Sequence, residues 1–377
     1  MKRTYFACLF VCLTTFATLP AHAQTETVLY NFTGGSDGAG PQSNLTSHNG
    51  DFYGTSYGGG LGYGTVFELS PNGSGGWNET VLYRFTGGAD GYDPTDSVIF
   101  DSVGNLYGTT TFSNVGHDGG GVVFKLSPAG AGESWTETVL CSTVGLPTSG
   151  LIMDPQGNLY GTSQGAGVFE LSPSGGGWTE QFIYGGTLAQ GVSMDSAGDL
   201  FASTFGRHKM LELSANGEGD WNANFIHTFP ISSVPSGTVT FDQVNNLYGV
   251  LSSGAAKGQG AVYKLSLDDG KWTNKLLYSF KGGSDGAQPQ AGIVFDASGD
   301  IYGTTLSGGT YGEGTVFELV PVGKTHYSYK EKILWSFTGE DGASASNSLT
   351  LDSAGNLYGT TPKGGSYGYG VVFEVTP

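Results

Sequence analysis

The sequence predicts an all-β fold, a seven-bladed β-propeller closed by its own N-terminal strand. Three observations predict it. A phrase of the form Gly-Asn/Asp-Leu-Tyr-Gly recurs seven times, centred on Tyr53, Tyr107, Tyr160, Phe201, Tyr248, Tyr302 and Tyr358, at spacings of 54, 53, 41, 47, 54 and 56 residues. A mean near 51 is a propeller or solenoid period. Each complete unit also carries four strand-like runs, and the two chain ends hold complementary leftovers.

The four runs are plainest from Asp96 to Cys141. They are Ser97-Val98-Ile99-Phe100-Asp101, Asn105-Leu106-Tyr107-Gly108-Thr109-Thr110, Gly121-Val122-Val123-Phe124-Lys125-Leu126 and Thr136-Glu137-Thr138-Val139-Leu140-Cys141. Each is β-branched or aromatic, too short for a helix and bounded by Gly, Asn, Asp or Pro, so they read as strands a, b, c and d of an antiparallel sheet. The a–b turn repeats as Asp-x-x-Gly-Asn/Asp, from Asp101, Asp154, Asp195, Asp296 and Asp352. Asp bonds the backbone that follows it, and the fourth position needs positive φ, which Gly accepts and Asn245 tolerates in the fifth unit. The turn lacks the ligand series of a calcium loop, so no metal is expected. A tryptophan precedes strand d in most units (Trp77, Trp135, Trp178, Trp221, Trp272), with Tyr327 or Tyr329 in the sixth. Its recurrence at one structural position predicts packing rather than a glycan platform.

The ends supply the strand count. The chain opens with a lone d-type run, Glu26 to Phe32, and finishes on a c-type run, Gly370 to Val375, with no d strand after it. Seven complete sheets result if the first strand completes the last blade, a closure that leaves no repeat uncapped. One domain over 24–377 is expected.

Residues 1–23 have the form of a secretory signal: Lys2 and Arg3, an apolar run from Tyr5 to Leu19, and Ala21-His22-Ala23 before Gln24. Cleavage after Ala23 predicts a secreted or periplasmic product without membrane insertion. Cys8 and Cys12 leave with the signal, so Cys141 remains alone and packing must supply stability. Without Lys2 and Arg3 the formal charge of −18 becomes −20. That balance argues against nucleic acid or an anionic membrane as partner and suits a neutral or cationic ligand. A monomer is expected.

The phrase Gly-Asn-Leu-Tyr-Gly-Thr-Thr, followed by a Gly-rich loop and Gly-Thr-Val-Phe-Glu-Leu, resembles the GloVer-type tandem repeat of bacterial "choice-of-anchor" exported proteins. The resemblance covers nearly all of residues 26–377. It is strongest from Tyr302 to Leu319 and from Tyr358 to Val375, and weakest in the fourth unit, where Phe201 and Ala202 replace Tyr-Gly. It implies export and a propeller-like repeat, and carries no catalytic residue to transfer.

Because antiparallel strands reverse direction, b–c loops and d–a crossovers should share one face. Units one, two, six and seven enter through Asp-Gly loops holding Asp37, Asp90, Asp285 and Asp341. Their b–c loops carry Tyr57 and Tyr63, His117 and Asp118 with Phe112, Tyr311 and Glu313, and Tyr367 and Tyr369. Units three, four and five have shorter versions without Asp-Gly. In a closed ring the four are neighbours, so one side of the mouth should be raised, acidic and aromatic. Those twelve residues are the candidate ligand-binding set, suited to a glycan or an extracellular protein through tyrosine faces beside carboxylates. The competing reading is turn chemistry and space-filling among glycines. Arg207-His208-Lys209, across the ring, reads as a solvated strand start.

No nucleophile elbow, zinc motif or arginine triad is present, and no cofactor is expected. A non-catalytic binding module is favoured. A carbohydrate-active hydrolase or lyase using carboxylates of the same face is the alternative, and a passive surface or matrix protein the third class.

Overall fold

The computed structural model describes residues 24–377 apart from 95, 115–119, 129, 131–133, 143–144, 187–190, 205, 218 and 324–327. The proposed signal, His117, Asp118 and Tyr327 therefore lie outside the described residues. The strands form seven antiparallel sheets, the blades of a β-propeller. Blade 1 runs Thr46–His48, Asp51–Gly58, Thr65–Pro71 and Trp77–Arg84, and blades 2 to 6 repeat that order along the chain. Blade 7 takes Thr350–Leu351, Leu357–Thr361 and Val371–Thr376 from the C-terminus and Thr25–Asn31 from the N-terminus, with Thr25 opposite Thr376 and Asn31 opposite Val371.

Each c–d pair slips register once, between Val66 and Phe67 in blade 1 and at the matching place in the others. The bulge puts one extra residue into strand d and adds twist to the outer edge. It also turns Leu82, Leu277 and Leu334 inward, all buried.

Adjacent blades join by the same contacts. The threonine of Tyr-Gly-Thr reaches the next crossover, with Thr55 donating to the Asp96 carbonyl (3.0 Å), Thr109 to Ser149 (3.0 Å), Thr304 to Asn347 (2.9 Å) and Thr360 to Ser43 (2.9 Å). The strand-d phenylalanine stands edge-on to the strand-c aromatic of the next blade at 4.8–5.2 Å: Phe85 on Phe124, Phe229 on Tyr263, Phe280 on Phe317, Phe337 on Phe373 and Phe32 on Phe67. These phenylalanines are buried, each contributing roughly 2–3 kcal/mol of transfer free energy. Blade 7 thus meets blade 1 through Thr360, Phe32 and Trp77 as other blades meet their neighbours.

The recurrent tryptophan has a defined partner, the strand-b aromatic of the preceding blade. Trp77 meets Tyr358, Trp178 meets Tyr107, Trp221 meets Tyr160 and Trp272 meets Phe201. Tyr329 packs in the cluster of Tyr248.

The a–b turn is built by its aspartate. Asp352 Oδ1 accepts the N–H groups of Ala354 and Asn356, while Oδ2 accepts the Asn356 amide and the Tyr358 hydroxyl. Asp101, Asp154 and Asp242 repeat all four bonds. Asn245 takes φ 59° where the others place glycine. Among the described residues no group of three or more His, Cys, Asp or Glu could hold a metal ion. No helix among them is long and apolar enough to cross a membrane.

Candidate functional site

The d–a crossovers and b–c loops meet on one face, hydrogen-bonded to each other. Gly60 N–H donates to Gly35 O (2.8 Å), Gly309 to Gly283 (2.8 Å), Gly365 to Gly339 (2.9 Å) and Asn114 to Gly88 (3.2 Å). Each Asp-Gly loop is thereby held to the b–c loop of the blade it enters. On its other side, Gly40, Asp93, Gln288 and Ser344 donate their N–H groups to Tyr369, Tyr63, Gln259 and Glu313 of the preceding blade. These four donors all have φ between 58° and 62°, so the positive angle of Asp93 is a property of the repeat rather than local strain.

The four Asp-Gly carboxylates turn back onto their own loops. Asp37 accepts from Thr33 N–H (2.8 Å), Thr33 Oγ1 (2.6 Å) and Tyr30 OH (3.1 Å). Asp90 repeats this with Thr86 and Tyr83, and adds Gly88 N–H. Asp285 accepts from Lys281 N–H and Tyr278 OH, with the Lys281 ammonium at 3.6 Å. Asp341 accepts from Thr338 and the Trp335 indole.

Three of the tyrosines cover glycines: Tyr63 lies on Gly87, Tyr369 on Gly34 and Tyr57 on Gly40, each so close that a Cβ would fall within 2.5 Å of the ring. Tyr311 and Tyr367 are 62% and 60% exposed. Glu313 contributes its carbonyl to Ser344. Blade 5 differs from its sequence reading. Its b–c segment bonds Gly260 to Gly254 as Gly314 bonds Gly308, so it is built like those of blades 6 and 7. In blade 4, His208 bonds the Ser233 carbonyl and the Lys209 ammonium stands 4.5 Å from the Phe225 ring centre, which is strand-start packing.

The face encloses a central cavity of about 780 Å³. All seven crossovers line it, including Gln42, Asn44, Asp93, Asp96, Thr238, Gln290 and Asn347. Blades 2, 6 and 7 add b–c residues, Phe112, Leu306 and Pro362 among them. None of the ten described residues among the twelve candidates lines it. Its charged residues, among those described, are Asp93, Asp96 and Lys363. Burial raises the Asp93 carboxyl above the usual carboxylate range. Burial raises Asp96 too, against the opposing pull of Ser97 N–H, Gly150 N–H and Ser97 Oγ. Both acids sit on one crossover, so they flank a bound molecule from one side; two-carboxylate glycoside cleavage needs groups on both sides of the bond.

A crossover phrase marks the lining in the sequence: Pro41-Gln42-Ser43-Asn44-Leu45, Pro94-Thr95-Asp96-Ser97-Val98, Pro147-Thr148-Ser149-Gly150-Leu151, Pro235-Ser236-Gly237-Thr238-Val239 and Pro289-Gln290-Ala291-Gly292-Ile293. Its final aliphatic is buried and anchors the crossover, while the small polar residues before it face the axis.

The repeat has a family. A model described as the Gloeobacter/Verrucomicrobia repeat matches residues 13–204 and 212–377. The chain belongs to that family. Several solved structures share the fold of this Gloeobacter/Verrucomicrobia repeat protein. Virginiamycin B lyase from Staphylococcus aureus matches with a TM-score of 0.61 at 14% identity, over 94% of this chain and 99% of the lyase. A periplasmic gluconolactonase from Pseudomonas aeruginosa matches at 0.55 and 14%, over 81% and 86%. An ancestral GH74 enzyme matches at 0.58 and 12%, over 90% of the repeat protein and 48% of the enzyme. At such identities the likeness is one of fold, which hosts unrelated chemistries. No curated protein matches the repeat protein.

Proposed function

We propose that this is an exported, non-catalytic propeller that binds a neutral polyhydroxylated ligand, a glycan or polyol, in the central cavity of its loop face. The cavity carries the reading. At about 780 Å³ it falls within the roughly 300–1,000 Å³ of small-molecule sites. Its wall is mainly amides, hydroxyls and small residues, with Phe112, Leu306 and Pro362 as apolar surfaces. That mixture matches the alternating hydroxyls and C–H faces of a sugar. Tyr311 and Tyr367 on the rim offer further ring faces to a longer chain.

Titration calorimetry with a panel of oligosaccharides tests it. Saturable binding is expected, weakened about tenfold or more, or roughly 1.4 kcal/mol, by Gln290→Ala and Asp96→Asn. Binding that ignores both changes, or no binding across the panel, contradicts it. A mature product beginning at Gln24 is expected from export.

The raised Asp93 and Asp96 carboxyls favour one second reading, a hydrolase or lyase that uses them as proton donors. Turnover lost in Asp93→Asn or Asp96→Asn variants that still fold would support it, and blank polysaccharide and ester screens would remove it.

A further inference from the structure

Each blade ends in an outer strand whose far edge pairs with no other strand among the described residues. Such an edge is a template for another chain unless charged side chains or proline blunt it. Six of the seven outer strands are charged, from Glu26 alone in blade 7 to Lys330, Glu331 and Lys332 in blade 6. Blade 4 differs: Trp221–Thr228 reads Trp-Asn-Ala-Asn-Phe-Ile-His-Thr, 8 residues without Lys, Arg, Asp or Glu. Burial lowers its His227 below the usual histidine range, so the strand is uncharged at neutral pH. Asn222 and Asn224, opposite Ser214 and Glu212, stand at the register positions that Lys330 and Lys332 fill opposite Val320 and Glu318.

The same arc of the rim is apolar. In strand d the residue opposite the strand-c aromatic position is Phe182, Phe225 and Leu276 in blades 3, 4 and 5, exposed by 37%, 39% and 42%. In the other four blades it is Val81, Val139, Ile333 and Val28, each half-buried. Ile231, three residues beyond the outer strand of blade 4, is 88% exposed. Large apolar side chains exposed on three successive blades mark a contact with another macromolecule.

Charge says which macromolecule. Residues 177–281, from the outer strand of blade 3 to just past that of blade 5, hold seven Lys or Arg against nine Asp or Glu, a net of −2. The rest of 24–377 holds six against 24, a net of −18. Two copies of the chain therefore repel least along this arc, and with the arc turned inward their acidic sides lie farthest apart.

We propose that the protein forms a two-fold homodimer in which the outer strands Trp221–Thr228 of two copies pair antiparallel, joining their fourth blades into one continuous sheet. A two-fold axis relates a strand to its own copy in the antiparallel sense that such pairing requires, and the contact closes at two copies. The uncharged strand meets itself without like charges, whereas any other outer strand would bring its own Glu or Lys against the same residue of the partner. Phe225 and Ile231, with Phe182 and Leu276 on the flanking blades, supply apolar surface to the contact. The dimer departs from the monomer expected from the sequence, and it does not depend on what the cavity binds.

Sedimentation equilibrium over a roughly hundredfold range of protein concentration tests it. A monomer–dimer equilibrium is expected, tightening with added salt because salt screens the repulsion between two strongly acidic molecules. Amides of residues 221–228 should exchange more slowly in the dimer than on dilution. N222K/N224K, which gives blade 4 the two lysines of blade 6, should raise the dissociation constant on the order of a hundredfold. Added lysines reduce the overall negative charge, so net repulsion alone predicts the opposite sign. Lys332 already pairs with Glu318 at 3.0 Å at the matching place, so the fold accepts such a lysine, and N224K alone serves should the double variant fail to fold. Thr80→Lys, the same change at the matching position of blade 1 opposite Glu68, should leave the constant within about twofold. A parent that stays monomeric, masses beyond the dimer, association weakened by salt, or a dimer indifferent to N222K/N224K and N224K would each overturn the proposal, as would an equal loss in Thr80→Lys.

Discussion

Ala202 lies directly across the sheet from Leu211, and blade 4 is the one blade in which this strand-b position is not glycine and its strand-c partner not aromatic. Elsewhere the pairs are Gly54–Phe67, Gly108–Phe124, Gly161–Phe169, Gly249–Tyr263, Gly303–Phe317 and Gly359–Phe373. A Cβ on any of these glycines would come within 2.5–2.7 Å of the facing ring. The fourth unit's departure from Tyr-Gly is thus one substitution in two places: the smaller Leu211 vacates the space that Ala202 fills.

Gly303→Ala therefore should destabilise by overpacking alone, about 1–3 kcal/mol, because Gly303 is not among the positive-φ glycines. Adding Phe317→Leu should recover part of the loss. A double-mutant cycle by urea denaturation measures the coupling, and additive changes would contradict the steric account.

Phe32 tests how firmly the N-terminal strand is seated. It is fully buried against Phe67 of blade 1, so Phe32→Ala should cost about 3–5 kcal/mol. Denaturant midpoints at constant m-value report this, and a loss below about 1 kcal/mol would mean that the strand is not integral to the fold.

The turn aspartates set an acid limit. Burial raises Asp352, but the hydrogen bonds of Asn356 N–H, the Asn356 amide, Ala354 N–H and Tyr358 OH together outweigh it and hold the carboxyl below its usual value. Asp101 and Asp242 are held low in the same way. A lowered folded value gives stability present above the unfolded value of 3.8 and lost as pH falls through the folded one. Asp352→Ala should cost roughly 2–4 kcal/mol at neutral pH and lose less than the parent on acidification below about pH 4. Parallel pH curves for the two proteins would contradict this.

The propeller was legible because its signals are local and repeated. Asp352 to Tyr358 encodes a turn and the strand behind it within seven residues, and seven copies average out the irregular Phe201-Ala202. The Asp-Gly acids read less clearly: Asp37 reads as an exposed acid in Gly-Gly-Ser-Asp-Gly, while its bonds to Thr33 and Tyr30 depend on loop closure and on strand d. The threonine four residues upstream, repeated at Thr86–Asp90, was the available sign. Gln42, Asp96 and Gln290 carry no local mark of a site, because convergence on an axis is a property of the assembled ring and leaves only the Pro-initiated phrase of five units.

The most direct measurement is a crystal structure of the protein soaked with the tightest-binding oligosaccharide of the panel. The sugar is expected in the central cavity, hydrogen-bonded to the crossovers at Asp96 and Gln290 and stacked toward Phe112 or Pro362. A sugar seated on the outer blades, with the cavity filled by solvent alone, would contradict the assignment of this face as the binding site.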